Sequence, residues 1–273
     1  MDRVWDCHWH LSGNASADEI LRAMDSAGIE RICLFGRQSY RDIAEQRVFT
    51  DEIAAIAAVA PDRVYGLIRV DPRLPSAADE IERAIAGKGL RGVKMLPDHW
   101  EPCDEAIFPV YARIEALGVP LMMHSGILFG HQDSSRFCRP VLYEALLHFP
   151  ALRFSLAHIG WPWTDECLAV AGRFRAAVGY SSGPEMQMYV DITPGTPPAW
   201  RKDALAKALA YVGPQRMVFG SDATTSGAAY AAEMLAQDRR ILCDELGVDE
   251  DAQRWIFWDA CADMFRERDG VKE

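Results

Sequence analysis

Short apolar runs alternate with amphipathic segments along the whole chain. Val, Ile, Leu and Met dominate the runs without clean alternation, which is typical of parallel strands buried on both faces. The intervening segments repeat apolar residues at helical spacing, and the first of them opens with Ser16 and Glu19 in the arrangement of a capping box. The pattern predicts eight strands, each followed by a helix, at 3–8, 31–36, 64–70, 91–96, 119–124, 152–158, 188–192 and 217–221.

Eight strand–helix repeats in roughly 250 residues match the number of units and the length of a (β/α)8 barrel. The alternative, a doubly wound open sheet, usually carries a glycine-rich phosphate loop after its first strand. Here the first strand is followed by HWHLSGN, which lacks such a loop. We therefore expect one α/β domain, a TIM barrel over residues 1–273, with an extra C-terminal helix at 249–265.

Composition and charge exclude several classes of partner. Apolar residues make up 49% and charged residues 25% of the 273, the balance of an ordinary globular protein. The 29 basic and 40 acidic residues leave a net charge of −11, so nucleic acid and anionic membranes are not expected partners. No apolar run reaches the roughly 18–20 residues of a membrane span, and the N-terminal MDRVWDCHWH does not resemble a secretory signal. The seven scattered cysteines are typical of free thiols, so we expect a cytoplasmic protein that acts on a small molecule, alone or as a homodimer.

Side chains capable of chemistry fall where the predicted strands end, which is where the active site of such a barrel forms. Alternation along the first strand predicts that His8 and His10 point the same way, with Cys7 and Trp9 facing the helices. A single strand-end histidine is more often structural than functional, but HxH combined with further histidines and an aspartate favours a metal site. The residues at strand ends are His8, His10, Lys94, His124, His158 and Asp222.

The motifs that carry these residues resemble the amidohydrolase superfamily. They are DxHxH at 6–10, GVK at 92–94, MHSG at 123–126, LAHIGWP at 156–162 and FGSD at 219–222. More narrowly, the chain is similar from residue 6 to about 265 to the TIM-barrel metal-dependent hydrolases that include aminocarboxymuconate-semialdehyde decarboxylase. The resemblance implies that His8, His10, His124 and Asp222 hold a metal, Zn2+ or another divalent ion such as Mn2+. It implies that His158 is an acid–base residue or, as in binuclear members, a ligand of a second ion.

Two reactions fit this set of residues. A hydrolase would pass a proton from water to Asp222 or His158 while the water attacks a small carboxylated amide, ester or lactone. The alternative is a metal-dependent, non-oxidative decarboxylase of an aromatic or muconate-like acid. Lys94 is the residue on which the metal count depends, because its carbamate would bridge two ions, whereas a free ammonium would bind an anionic substrate beside one ion. We expect one ion, with Lys94 in a catalytic role.

Substrate recognition is expected in the loops that follow the strands. Arg37 and Arg69 lie just past the second and third predicted strands, and an arginine at a barrel mouth suits a substrate carboxylate. A salt bridge to one of the many acidic residues is the equal alternative for each arginine. Trp161 and His131, in the loops after the sixth and fifth strands, are the other predicted substrate contacts.

Overall fold

The computed structural model of the protein describes residues 3–130, 132–179 and 186–266. Within them, parallel strands form one sheet in the order β8-β7-β6-β5-β4-β3-β2-β1-β9. Strands that follow one another in the chain therefore lie side by side, as in a barrel. The strands are β1 Trp5–His10, β2 Arg31–Phe35, β3 Val64–Arg69, β4 Gly92–Met95, β5 Leu121–Met123, β6 Phe154–Leu156, β7 Met188–Asp191, β8 Met217–Val218 and β9 Ala223–Thr224.

The sheet closes on itself, because its two edge strands are nearly continuous in the chain. β8 pairs with β7 at one edge and β9 pairs with β1 at the other, yet only residues 219–222 separate them. The Cys7 N–H also donates to the Phe219 carbonyl at 2.8 Å. β8 and β9 are thus one interrupted eighth strand, and the predicted α/β TIM barrel is confirmed.

Helices fill the connections and pack outside the barrel. The strand residues Val93 and Met95 belong to the large apolar cluster between strands and helices. The α-helices are α1 Ala17–Ala27, α2 Ile43–Val59, α3 Ala77–Glu82, α4 Phe108–Leu117, α5 Ser134–Phe137, α6 Thr164–Gly179, α7 Pro198–Tyr211, α8 Ala228–Arg239, α9 Glu250–Arg254 and α10 Ala260–Met264. Tighter or wider helical turns, at 83–87, 140–148, 157–160, 240–245 and 255–259, extend or join them.

The described residues include, near their C-terminal end, the extra helical segment that the sequence predicts. α9, the turn at 255–259 and α10 follow one another without a break. Trp258 packs against Trp5, with ring centroids 5.5 Å apart, inside the inner apolar cluster of the barrel. The segment therefore covers the N-terminal end of the barrel and leaves the opposite end for the active site.

A β-bulge in β1 corrects the predicted orientation of its side chains. The pairing of β1 with β2 shifts register between Asp6 and Trp9. Trp9 packs among the helices as predicted, but Cys7 lies in the inner cluster, so its predicted outward orientation is wrong. The Asp6 carboxylate stabilises the bulge by accepting hydrogen bonds from the His8 N–H at 2.9 Å and the Trp9 indole at 2.5 Å. The extra residue resets the alternation, so that His8 follows Cys7 on the inner side.

Candidate metal centre and active site

A cavity of ≈ 230 Å³ opens at the carboxyl ends of the strands. The structure brings to it most of the residues that the sequence singles out. The loop after β5 supplies apolar walls, Ile127, Leu128 and Phe129. The predicted site residues in its lining are His8, His10, Arg69, Lys94, His124, His158, Trp161 and Asp222.

The centre of the cavity holds two imidazoles and a carboxylate. One donor atom each from His8, His10 and Asp222 lies within 4.8 Å of the others. Asp222 Oδ1 is 3.1 Å from His10 Nε2 and 3.4 Å from His8 Nε2. Three nitrogen and oxygen ligands at this spacing suit a divalent transition metal.

Asp191 sets the hydrogen-bonding state of His8. Its Oδ2 lies 2.7 Å from His8 Nδ1, and both side chains are only 1% exposed. Its Oδ1 accepts the Thr193 N–H at 2.8 Å, so this carboxylate is fixed in place. Because a carboxylate is an acceptor, His8 Nδ1 carries the proton and Nε2 presents a lone pair. Two electron-rich atoms, His8 Nε2 and Asp222 Oδ1, then face each other, and a bound cation relieves that repulsion.

Backbone features bring these ligands together. Gly220 lies beside β1, where a Cβ would come 2.6 Å from His8 Cβ and 2.2 Å from Thr193 Oγ1. Only glycine therefore allows the eighth strand to pass this closely behind His8. Asp222 follows with φ 61°, and this left-handed turn directs its carboxylate into the cavity.

His124 is the fourth predicted ligand; it lines the same cavity but is not part of the compact group of three. Its N–H donates to the Met95 carbonyl at 3.0 Å, and the Tyr143 hydroxyl donates to its carbonyl, so its backbone is held on both sides. Its Nε2 is buried and has no hydrogen-bond partner in the part of the chain that the structure describes. A buried imidazole nitrogen without a partner is the atom that a metal would satisfy. The residues present therefore fit a divalent ion.

His158 reaches the cavity from a tight turn rather than from the strand itself. β6 ends at Leu156, and His158 and Ile159 adopt φ 61° and 51° in the turn that follows. His158 Nδ1 lies 2.8 Å from the Pro194 carbonyl and donates to it, which leaves Nε2 as an acceptor. Its ring centroid is 4.8 Å from that of His124. A Cβ on Gly195 would come 2.8 Å from His158 Cβ, so glycine is required there as well.

Burial dominates the electrostatics of the site. It lowers the pKa of His8 well below its usual value, aided by the Lys94 ammonium, and it also lowers the pKa values of His10 and His124. Burial likewise lowers the pKa of Lys94 to about 8. Burial alone would raise the pKa of Asp222, but the hydrogen bond with His10 and the electrostatic attraction of the neighbouring imidazoles outweigh it and hold that pKa below its usual value. The site thus favours neutral imidazoles and an ionised carboxylate, which are the ligand forms of these groups.

Two cations border the ligands. Lys94 Nζ is 3.2 Å from His8 Nε2 and 4.5 Å from the centre of the Phe35 ring. Arg69 lines the same cavity, and its buried Nε has no hydrogen-bond partner among the residues that the structure describes. Arg37, by contrast, forms a bidentate ion pair with Glu52 and is not among the described residues that line the cavity. His131 lies outside the described residues.

Asp191 is the functional residue that sequence reasoning missed. It stands in an apolar run as the last residue of β7, between Val190 and Ile192. An aspartate that interrupts such a run at a strand end was the available signal, since burial of a charge requires a partner. The same rule had singled out Asp222 one strand later.

A closed parallel barrel with a His-His-Asp donor set at its C-terminal mouth defines a class of TIM-barrel enzymes suited to a divalent metal. The profile of the amidohydrolase family matches residues 5–266, and the chain belongs to that family. It is an enzyme of the amidohydrolase superfamily.

Known proteins similar to this chain differ in their reactions. A dihydroorotase from Azoarcus sp. (strain BH72) is 28% identical over 185 residues, 62% of this chain and 53% of that protein. The chain thus matches about half the length of this curated relative. The structure of 5-carboxyvanillate decarboxylase from Novosphingobium aromaticivorans, with bound manganese, has a TM-score of 0.68 at 16% identity and 97% coverage of both chains. That of the probable 2-pyrone-4,6-dicarboxylic acid hydrolase from Acinetobacter baumannii has a TM-score of 0.65 at 13% identity, covering 97% of this chain and 99% of that one.

No helix of the described residues is long and apolar enough to cross a membrane.

Proposed function

We propose that the protein is a metal-dependent hydrolase that uses water to cleave a small carboxylated amide, ester or lactone. The observation that carries the proposal is the convergence of His8, His10 and Asp222 within 4.8 Å, beside the unsatisfied Nε2 of His124. These four side chains would hold one Zn2+ or a related ion such as Mn2+. The manganese in the decarboxylase structure of similar fold supports an ion of this kind.

Such an ion supplies Lewis acidity, which polarises a carbonyl group and lowers the pKa of water. The protein's own residues move the proton. His158 is held by its Nδ1–H bond to the Pro194 carbonyl, so its Nε2 is free to accept the proton of the attacking water. The same imidazole then returns the proton to the leaving group. Asp222, whose pKa is lowered, stays ionised and acts as a ligand that also orients the water.

Lys94 and Arg69 account for the carboxylate on the proposed substrate. Both side chains line the cavity, and the Arg69 Nε has no acceptor among the described residues. A substrate carboxylate would provide that acceptor and would be held beside the ligands in a charge-assisted hydrogen bond. Trp161 and the loop after β5 close the remaining side with apolar surface, which excludes bulk water from the reacting bond. His131 stays a predicted substrate contact.

The geometry also bears on the number of ions. The compact donor group of His8, His10 and Asp222 includes neither His124 nor His158 within the described residues, and it offers donor atoms for one ion. In this proposal His158 Nε2 is the proton acceptor while Nδ1 donates to the Pro194 carbonyl, and Lys94 Nζ lies 3.2 Å from His8 Nε2. These contacts support one ion and a free Lys94 ammonium, whereas a carbamate on Lys94 with His158 as a further ligand is the binuclear alternative.

A decarboxylase is the second candidate, and one observation favours it. The two cations adjoin walls formed by Leu96, Ile127 and Trp161, a combination that suits a flat aromatic acid. In that reaction the cations and ligands would hold the substrate oxygens, and protonated His158 would deliver its proton to carbon as carbon dioxide leaves. The likeness in fold to 5-carboxyvanillate decarboxylase agrees with this alternative.

One isotope experiment separates the two reactions. The metal-loaded protein is incubated in 18O-labelled water with a panel of carboxylated lactones, esters, amides and aromatic acids. A hydrolase places one labelled oxygen in the product carboxylate, as we expect. Release of carbon dioxide without label in the organic product identifies the decarboxylase. Absence of both products across the panel, from protein with full metal content, contradicts the proposed hydrolysis of such substrates.

A further inference from the structure

A second cavity adjoins the active site and shares one wall with it. This cavity, which we call the indole groove, encloses ≈ 490 Å³ between the turn after β6 and the first turns of α6 and α7. Trp161 lines both cavities, and Trp163 and Trp200 complete the aromatic walls of the groove. The ring centroids of Trp161 and Trp200 are 6.2 Å apart with an interplanar angle of 34°. Trp161 therefore forms part of the wall of both cavities, and the groove beside it has an aromatic surface.

The groove also has one buried hydroxyl group without a partner among the described residues. Thr196 is only 6% exposed and lines the groove, yet its Oγ1 has no hydrogen-bond partner in the described ranges of the chain. A buried hydroxyl is normally satisfied, so this one is available to a ligand. On the rim, Asp165 and Asp203 are exposed carboxylates that share Lys207, at 3.1 Å and 3.0 Å.

The exposure of Trp200 also indicates a ligand-binding surface. Its side chain is 56% exposed, although tryptophan is among the residues that most favour burial. Exposed indoles beside a concave site are typical of ring-binding surfaces, since a flat ligand stacks on them. The groove differs in charge from the active-site cavity. Lys94 and Arg69 line that cavity, whereas three carboxylates (Asp165, Glu166 and Asp203) and one lysine line the groove.

We propose that the indole groove is a second substrate subsite that receives the leaving group, a flat ring carrying hydrogen-bond donors such as an aromatic amine or a phenol. This inference rests on the proposed hydrolysis. Water adds to the acyl carbon, the bond from that carbon to nitrogen or oxygen breaks, and the amine or phenol departs with the proton that His158 returns. The departing ring stacks on Trp161 and Trp200, and its N–H or O–H donates to Thr196 Oγ1 or to a rim carboxylate.

The subsite is tested first by leaving-group selectivity. Monophenyl succinate and monomethyl succinate share the carboxylate and the acyl group and differ only in the leaving group. We expect Trp200→Ala to lower the ratio of their kcat/KM values, phenyl over methyl, by roughly 3- to 10-fold, the usual scale of one aromatic stacking contact. Trp200→Phe should recover most of that ratio. Lys202→Ala, on the same helix but outside the groove lining, is the control and should keep the wild-type ratio.

A binding measurement keeps the subsite separate from the reaction. Protein with 15N-labelled tryptophan is titrated with 4-aminophenol, and the indole N–H signals are followed by NMR after assignment by substitution. We expect the Trp161 and Trp200 signals to shift together, and the affinity to fall in Trp200→Ala, whether or not any ester is hydrolysed. If hydrolysis occurs but the phenyl-to-methyl ratio does not change in Trp200→Ala, the subsite is wrong and the hydrolase stands. If 4-aminophenol moves neither signal, or if both signals shift with protein concentration alone because a second copy covers the groove, the subsite is also wrong.

Discussion

Asp191→Asn is the most informative single substitution, because Asp191 forms a hydrogen bond with His8 and is not itself a predicted ligand. The side chain keeps its shape, but it can no longer accept from both neighbours. If the new amide oxygen keeps the Thr193 N–H bond, its NH2 group faces His8 Nδ1. The imidazole must then carry its proton on Nε2, the nitrogen that would ligate the metal. If the amide is reversed, the NH2 group opposes the Thr193 N–H, and the loop loses its anchor.

The structure sets the expected size of the effect. The His8–Asp191 bond is 2.7 Å long between side chains that are each 1% exposed, so water cannot replace it. A charge-assisted hydrogen bond of this kind contributes about 1.5–3 kcal/mol. Loss of such an outer partner typically weakens metal binding by about 10- to 100-fold, which is about 1.4–2.7 kcal/mol. We therefore expect the dissociation constant for Zn2+ to rise by that factor.

Competition with a chromophoric chelator measures that dissociation constant, and thermal unfolding of the metal-free protein reports the cost to the fold. Asp71→Asn is the matched control, since Asp71 Oδ2 lies 2.9 Å from His99 Nε2 in a similar pair that involves no predicted ligand. The control should bind Zn2+ as the wild type does. Wild-type affinity in Asp191→Asn would refute the argument that this carboxylate fixes the His8 tautomer. So would an equal loss in both variants, which would indicate general loosening of the barrel mouth.

Two further predictions separate proton transfer from substrate binding. His158→Asn should keep most of the metal but lower kcat by roughly 100-fold, because an amide cannot accept and return a proton. Steady-state kinetics and metal analysis of the variant check this prediction. Retained turnover would count decisively against the assignment of His158. Arg69→Ala should raise KM for carboxylated substrates by roughly 10- to 100-fold with little change in kcat, the scale of one charge-assisted hydrogen bond. Arg37→Ala, which removes the ion pair with Glu52 and the contact with the Phe49 ring, should leave KM unchanged. Equal KM values in the two variants would remove Arg69 from the substrate site.

The sequence predicts the barrel well because buried strands and amphipathic helices each produce a recognisable pattern of apolar residues. Strands covered on both faces read as continuous apolar runs, and their spacing matches one strand–helix unit. Polar residues at the ends of such runs stand out, which is why His8, Lys94 and Asp222 are recognisable without coordinates. Each of these residues does line the cavity at the carboxyl end of the barrel.

The pattern of hydrophobic and polar residues could not predict local irregularities of the backbone or the choice of side-chain partners. Alternation assumes a regular strand, whereas the bulge in β1 turns Cys7 inward. The strand also spans Trp5–His10 rather than the predicted 3–8. The partner of Arg37 could not be predicted, because Glu52 competes with any substrate carboxylate and proximity decides the outcome. Asp191 was missed because its role depends on a partner 183 positions away in the chain. The homodimer, the cytoplasmic location and the role of His131 stay predictions.

The metal content of the purified protein tests the central claim most directly. Wild type and the double variant His8→Ala/His10→Ala, purified without chelator, are analysed by inductively coupled plasma mass spectrometry, and circular dichroism confirms that both are folded. We expect about one Zn2+ or Mn2+ per chain in the wild type and none in the folded double variant. A wild type without a stoichiometric transition metal would contradict the metal centre, and two ions per chain would contradict the single-ion site with free Lys94.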